Sequence, residues 1–477
     1  MRVRAGLALA LLLAGCGDAA ADRDRLHVTV VGDAKRSASL ARRLAAEQER
    51  PTLVTRDTAG QAIAGLASSW RFVDDGRSLI LRLRPVPADI GKPLLASDVV
   101  AQFRRAAARG EPALAATGIA GLAAPGKPQA GLQMFAPISR VVEIRLDRPS
   151  PFLLDWLAEP ALAITRRDMA GLAAYRGSGT AALHLLTRIA DAPSPAARIG
   201  TIAIIGNMDP AAAIRDFPRN TDIIIGDGLD GLALARTTAP QPALRIDPLF
   251  GLYAYRFNTR VAALQDAGLR RALLRAIDRP ALVRRYAVSA LQPTDRLLPG
   301  QIVPLPRDTE TDKAMLATLR TTDAPPVRLT LLIPPGGDHR QIAEQVATAW
   351  APLGVQLAIS VIAAATIDAR VARGDYELAL SEASIAMPDD LGWAGRYRCN
   401  RSYCNRNVDT LIDAATRATS ERATLTAAVE AALQADPPMA PLFRPVRWAL
   451  VAPRVEGWIP NTAGSHPLGR LQIASPG

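Results

Sequence analysis

The stretch from Pro248 to Arg279 constrains the fold most. Its first part, Leu249-Phe250-Gly251-Leu252-Tyr253-Ala254-Tyr255-Arg256-Phe257-Asn258, alternates aromatic with small or polar residues at a period of two. That pattern predicts a strand, ended by Asn258 and Thr259. After a short loop, Leu269 to Arg279 places Leu269, Ala272, Leu273 and Ala276 on one face and Arg270, Arg271 and Arg275 on the other. This is an amphipathic helix. Asp278 and Pro280 restart the chain as a cap and a second helix, Ala281 to Tyr286.

A chain of 477 residues buries large cores and divides into two or more domains. Hydrophobic content of 49% and charged content of 21% are those of a globular protein. The net charge is +12, yet only four of the 57 basic residues are lysine and the arginines are dispersed. With no basic run, zinc-finger spacing or RNA-binding signature, nucleic-acid binding is excluded as a working reading.

The N-terminus reads as an export signal. Arg2 and Arg4 precede an apolar run, Ala5 to Leu13, well short of the ~20 residues that span a bilayer. Leu13-Ala14-Gly15-Cys16 matches a lipobox, which makes residues 1–16 a lipoprotein signal peptide and Cys16 the lipidated residue. The two other cysteines, Cys399 and Cys404, bracket a short loop, and a disulfide between them suits an exported chain. Two free thiols are the alternative. None of the four histidines lies near them in sequence, so no metal site is expected.

Further along, Trp70, Phe72, Leu79, Leu81 and Leu83 alternate about Asp74-Asp75-Gly76, which predicts a hairpin. Ser97 or Asp98 is placed to cap a helix running through Phe103. Val327 to Ile333, a helix capped at Asp338 and running to Trp350, and Gly354 to Ile359 make a βαβ unit. A helix from Ala365 to Arg373 and one from Glu421 to Ala435 follow.

Several of these segments carry a resemblance. Leu66-Ala67-Ser68-Ser69-Trp70 with its Asp75-Gly76 turn, Gly91-Lys92-Pro93 leading to Asp98-Val99, and the central strand and helix are similar to bacterial extracellular substrate-binding proteins of the peptide/nickel type. So are Gly374-Asp375-Tyr376-Glu377-Leu378, Asn405 to Ile412, Pro438 to Phe443 and Val455 to Trp458. The resemblance covers roughly residues 64–104, 139–160 and 248–473. It implies an α/β, two-lobed periplasmic-binding-protein-like fold (large, class C type) with a ligand cleft between lobes. Lobe 1 is expected at 25–256 with a returning segment, 458–477, and lobe 2 at 257–457.

The implied function is capture of a peptide or similar small solute by lobe closure and its delivery to an ABC permease and ATPase complex. The protein would be a monomer on the periplasmic side, lipid-anchored to a membrane, with no cofactor. In relatives that bind peptides, an aspartate in the loop after the Gly-Asp-Tyr strand pairs with the ligand's amino terminus. Asp389 and Asp390 occupy that loop here. Arg340 is the corresponding candidate for a ligand carboxylate. Tyr253, Tyr255 and Phe257, sharing one strand face, and Trp393 are candidates for the cleft wall. Each of these residues has an ordinary structural role as its alternative: loop turn, helix start or core.

Two departures bear on ligand class. Ser381 to Met387 lacks the tryptophan usual before the acidic loop, and the part before Ala64 is short and lacks the family's opening. They motivate a second reading, a degenerate binding-protein-like lipoprotein acting as sensor or interaction module. A secreted hydrolase is the third. The chain has no H-E-x-x-H, G-x-S-x-G, S-x-x-K or Walker motif, so no enzyme is expected.

Overall fold

The computed structural model describes residues 24–474 except 86–92, 124–125, 130, 166–172, 181, 191–196, 240, 302–325, 401 and 419. The expected signal peptide, with Cys16, lies outside the described residues.

The first large sheet has seven strands, in the order Leu244–Pro248, Val446–Val451, Ile223–Asp227, Arg25–Val31, Thr201–Met208, Leu183–Arg188 and Tyr175–Gly179. Arg25–Val31 runs parallel to both neighbours. Leu26, Val28 and Val30 are buried, as a strand covered on both faces requires. Helix Ala34–Glu49 packs on it through Leu40, Ala41, Leu44 and Ala45, and Asp33 caps that helix by accepting from the Lys35 and Arg36 amides.

A four-stranded antiparallel sheet forms a satellite of this body: Ala67–Val73, Ser78–Leu83, Val141–Arg145 and Met134–Ile138. The expected hairpin is present, its turn held by positive φ at Asp74, Asp75 and Gly76. Leu79, Leu81 and Leu83 point into the core and Ile80 and Arg82 out. Helix Ala96–Ala108 covers this sheet with Val99, Val100 and Phe103. Asp98 reaches back to the Leu95 amide at 3.0 Å, so it acts from inside the first turn rather than as the cap.

The second large sheet orders Val355–Val361, Val327–Ile333, Leu378–Ile385, Phe250–Phe257 and Met439–Phe443. Val327–Ile333 and Val355–Val361 pair in parallel about helix His339–Trp350, the expected βαβ unit. Phe250–Phe257 pairs antiparallel with both neighbours and is buried almost throughout.

The crossings between the bodies fall elsewhere than expected. Phe250–Phe257 lies wholly in the second sheet, while Leu244–Pro248 ends in the first, so the chain crosses at Leu249 rather than at Arg256. It returns between Phe443 and Val446, because Val446–Val451 belongs to the first sheet, rather than at Gly457. The two crossings are adjacent: the Leu249 N–H donates to the Pro445 carbonyl at 3.1 Å. Two sheet bodies joined by paired crossings make the expected two-lobed α/β architecture.

One face of the central helix, Ala267–Ala276, also differs. Arg270 is only 3% exposed and donates to the Pro437 carbonyl at 2.8 Å and to the Asp436 carboxylate. Arg279 is buried likewise, serving the carbonyls of Leu274 and Pro441. Guanidinium donors here satisfy backbone acceptors at the lobe's centre.

Candidate ligand cleft between the lobes

Ligands of open α/β sheets gather outside the carboxyl ends of parallel strands. In the first lobe those ends are Val31, followed by Gly32-Asp33, and Asp227, followed by Gly228-Leu229-Asp230-Gly231. In the second lobe Ile333 leads to Gly336-Gly337-Asp338-His339, and Glu382 lies in the neighbouring parallel strand, Leu378–Ile385. These loops face one another.

Arg36, in the first turn of Ala34–Glu49, donates across the lobes to the Glu382 carboxylate. The Glu382 side chain is 8% exposed and that of Arg36 29%. Glu382 and, more weakly, Asp227 and Asp230 raise the Arg36 pKa further. Burial outweighs Arg36 at Glu382 and pushes its carboxyl above the usual range, with Asp227 and Asp230 adding to the rise. Burial likewise raises Asp230, opposed first by the Arg36 charge and then by the nearby Asp33 and Gly337 amides, one in each lobe. Asp227 is paired with Arg447 at 3.2 Å.

His339 is buried beside this cluster, its Nδ1 2.9 Å from the Tyr253 hydroxyl. Burial first, then the Arg36 charge, lowers its pKa to about 3, so the ring is neutral at pH 7. Asp338, expected to cap its helix, makes no capping bond. It sits at φ +54 and turns its carboxylate to the Tyr286 hydroxyl at 3.0 Å and Arg285 at 3.1 Å.

The glycines let the lobes approach. A Cβ on Gly228 would lie 2.1 Å from Glu382 Oε1, and one on Gly336 2.7 Å from Asp230 Oδ1. Apolar packing is continuous too: Val31, Ile224 and Trp448 of the first lobe share a cluster with Tyr253, Leu331 and Ile342 of the second.

Of the residues singled out in the sequence, Tyr253 alone reaches this cluster. Tyr255 and Phe257 are fully buried, Tyr255 edge-on to Trp350. Trp393 is 1% exposed and donates to the Leu297 carbonyl at 3.0 Å. Asp389 caps a short helix through the Leu391 amide and pairs with Arg422 at 3.4 Å. Asp390 accepts from the Gly300 amide at 2.6 Å and from Gln301, and burial raises its pKa. Arg340 is 61% exposed beside Glu344. Cys399 and Cys404 are joined by a disulfide.

Arg36, Asp227, Asp230, Glu382 and His339 were not anticipated. Their signal is the recurrence of Gly-Asp turns directly after predicted strands, at Gly32-Asp33, Asp227-Gly228, Asp230-Gly231 and Gly337-Asp338.

A second concavity of about 540 Å³ lies at the far end of Leu378–Ile385, lined by Asn258, Arg260, Arg370, Tyr376 and Glu377 among others. Several of its charges are engaged within its own walls: Arg370 with Asp375, and Glu377 with the Thr330 amide. Among the described residues no group of three or more His, Cys, Asp and Glu could hold a metal ion. No described helix is long and apolar enough to cross a membrane.

The model of the family described as bacterial extracellular solute-binding proteins, family 5 Middle, matches residues 195–402. No curated protein matches the chain by sequence. Among solved structures, Haemophilus influenzae OppA in complex with RPPGFSPFR is 17% identical at a TM-score of 0.76, covering 95% of this chain and 99% of that one. The Escherichia coli murein tripeptide binding protein MppA is 19% identical at 0.77, with 95% and 99% covered. MppA in its unliganded open form is also 19% identical but superposes at 0.66, with 95% and 98% covered. The resemblance to bacterial extracellular solute-binding proteins is borne out over residues 195–402, and the fold is that of a two-lobed periplasmic binding protein.

Proposed function

We propose that this chain is the substrate-binding protein of an ABC importer, capturing a peptide or similar small solute between its lobes and delivering it to a permease. It acts by binding, not catalysis. The observation that carries this reading is the pair of adjacent crossings at Leu249 and Pro445, which leaves the lobes free to hinge about one short axis. Charged and polar side chains of both lobes converge at the mouth that such a hinge would open. The solved relatives named above bind RPPGFSPFR in one case and murein tripeptide in another. The lobes would divide at these crossings, with residues 24–248 and 446–474 in the first and 250–443 in the second. Export and anchoring on the periplasmic side would follow from the lipobox ending at Cys16.

A thermal-shift screen against dipeptides, longer peptides, amino acids and nickel chelates tests the reading. A ligand at a hundred times its Kd adds about 2.7 kcal/mol. A shift with peptides supports it, and a shift confined to other solutes changes the ligand class. The absence of any shift in folded protein favours the second reading, a binding-protein-like sensor or interaction module without transport. One observation speaks for that alternative: Arg36 and Glu382 occupy the mouth themselves.

A further inference from the structure

The helix that begins at Ala34 carries two cations, Lys35 and Arg36, in its first turn and no acidic residue there. The amino end of a helix is its positive end, so both charges are locally unfavourable. Asp33 uses its carboxylate on the helix amides. The ion-pair contacts of the two cations are with the other lobe: Glu382 for Arg36, and Asp368 for Lys35 at 2.6 Å. The Lys35 pair is exposed on both sides, 58% and 67%, and screened. The Arg36 pair is not.

Glu382 is in the converse position. Its side chain is 8% exposed, with Asp227 and Asp230 close enough to repel it. Arg447 answers Asp227. Arg36 alone is shown answering Glu382. Opening the lobes would leave Arg36 at its helix amino end with only the weaker attraction of Asp227 and Asp230, and Glu382 without its guanidinium. The conformation agrees: the chain superposes better on one MppA structure than on the unliganded open form of MppA, 0.77 against 0.66 at the same identity.

We infer that Arg36 is a built-in latch, which holds the lobes shut by seating its guanidinium on Glu382 where a captured solute would otherwise bridge them. The inference rests on the two-lobed binding-protein reading. A solute entering this cleft must displace the latch, and its affinity is reduced by the fraction of molecules latched. The Lys35 pair follows closure without determining it.

Small-angle scattering of the full chain without added solute tests the latch. Wild type is expected to give the compact, closed curve, and Arg36→Ala and Glu382→Gln an increased radius of gyration. Glu382→Gln preserves size and shape, so it carries the test where Arg36→Ala fails to fold. The same radius in wild type and in folded Glu382→Gln would overturn the latch, as would a wild type that is already expanded. Solute screens on wild type and on Arg36→Ala separate the two ideas. No binding to either, with the scattering change present, removes the transport reading and keeps the latch. Binding to wild type with no scattering change does the reverse.

Discussion

The Leu249 N–H donates to the Pro445 carbonyl at 3.1 Å, and that bond ties the outgoing crossing between the lobes to the returning one. Leu249 is 5% exposed, so a lost donor there is not replaced freely by water. Leu249→Pro removes the N–H. It is expected to cost about 1–3 kcal/mol, the penalty of an unsatisfied buried acceptor. Urea denaturation measures the loss. A cost below a few tenths would show that the two crossings are not coupled.

His339 predicts a pH dependence. The folded value, about 3, lies below the unfolded value near 6.5 because burial and Arg36 disfavour the imidazolium. Between these values the unfolded chain holds a proton that the folded chain lacks. The contribution is therefore complete above about pH 6.5 and is lost as pH falls toward 3, by up to about 1.4 kcal/mol per unit. Burial also shifts the nearby Asp230 and Glu382 carboxyls, so the comparison is differential. His339→Phe should flatten the curve of stability against pH in that window by one proton. An unchanged slope would mean that the ring is protonated in the fold.

Much of the fold was legible because its signals are local. The turn at Asp74-Asp75-Gly76, the Asp278 cap on the Ala281 amide at 3.2 Å and the βαβ unit each rest on residues adjacent in sequence. The cleft was not legible for the opposite reason. Arg36 and Glu382 are 346 residues apart, and each looks like a solvated charge until the lobes are placed together. Arg270 misled in the same way. Its place on the polar face of an amphipathic pattern was right, but that face meets Asp436 and Pro437 rather than water. The pattern records polarity and not exposure.

Arg270→Ala leaves the Pro437 carbonyl and the Asp436 carboxylate without their guanidinium. The side chain is 3% exposed, so the loss is expected at roughly 3 kcal/mol, in the range for breaking a buried pair. Arg270→Lys should recover only part, since one ammonium cannot serve both acceptors with a planar fork. Thermal unfolding of the two variants orders them, and equal losses would contradict the account.

The disulfide between Cys399 and Cys404 closes a loop of five-residue separation. A loop this short yields about 2 kcal/mol by chain entropy alone. The loop holds the Ser402 carbonyl against Thr259, whose amide and hydroxyl donate at 2.8 and 2.9 Å, just beyond the strand Phe250–Phe257. The double variant Cys399→Ser, Cys404→Ser should lose about that amount. Hydrogen exchange should show the Thr259 amide opening earlier, and protection of that amide unchanged from wild type would confine the bridge's effect to its own loop.

Gly228 gives a steric test of the closed arrangement that removes no charge. Its φ is +72, and an added Cβ would lie 2.1 Å from Glu382 Oε1, across the lobe boundary. In an open molecule the same methyl meets no such neighbour, and the strain of a left-handed alanine, about 1 kcal/mol or somewhat more, is all that remains. Gly228→Ala is therefore expected to weaken capture of any solute that needs closure, while the melting temperature falls only modestly. Calorimetric titration and thermal unfolding on the same sample separate the two effects. Affinity preserved in Gly228→Ala would show that the Glu382 side chain yields easily, and that closure does not depend on its close approach to the Gly228 backbone.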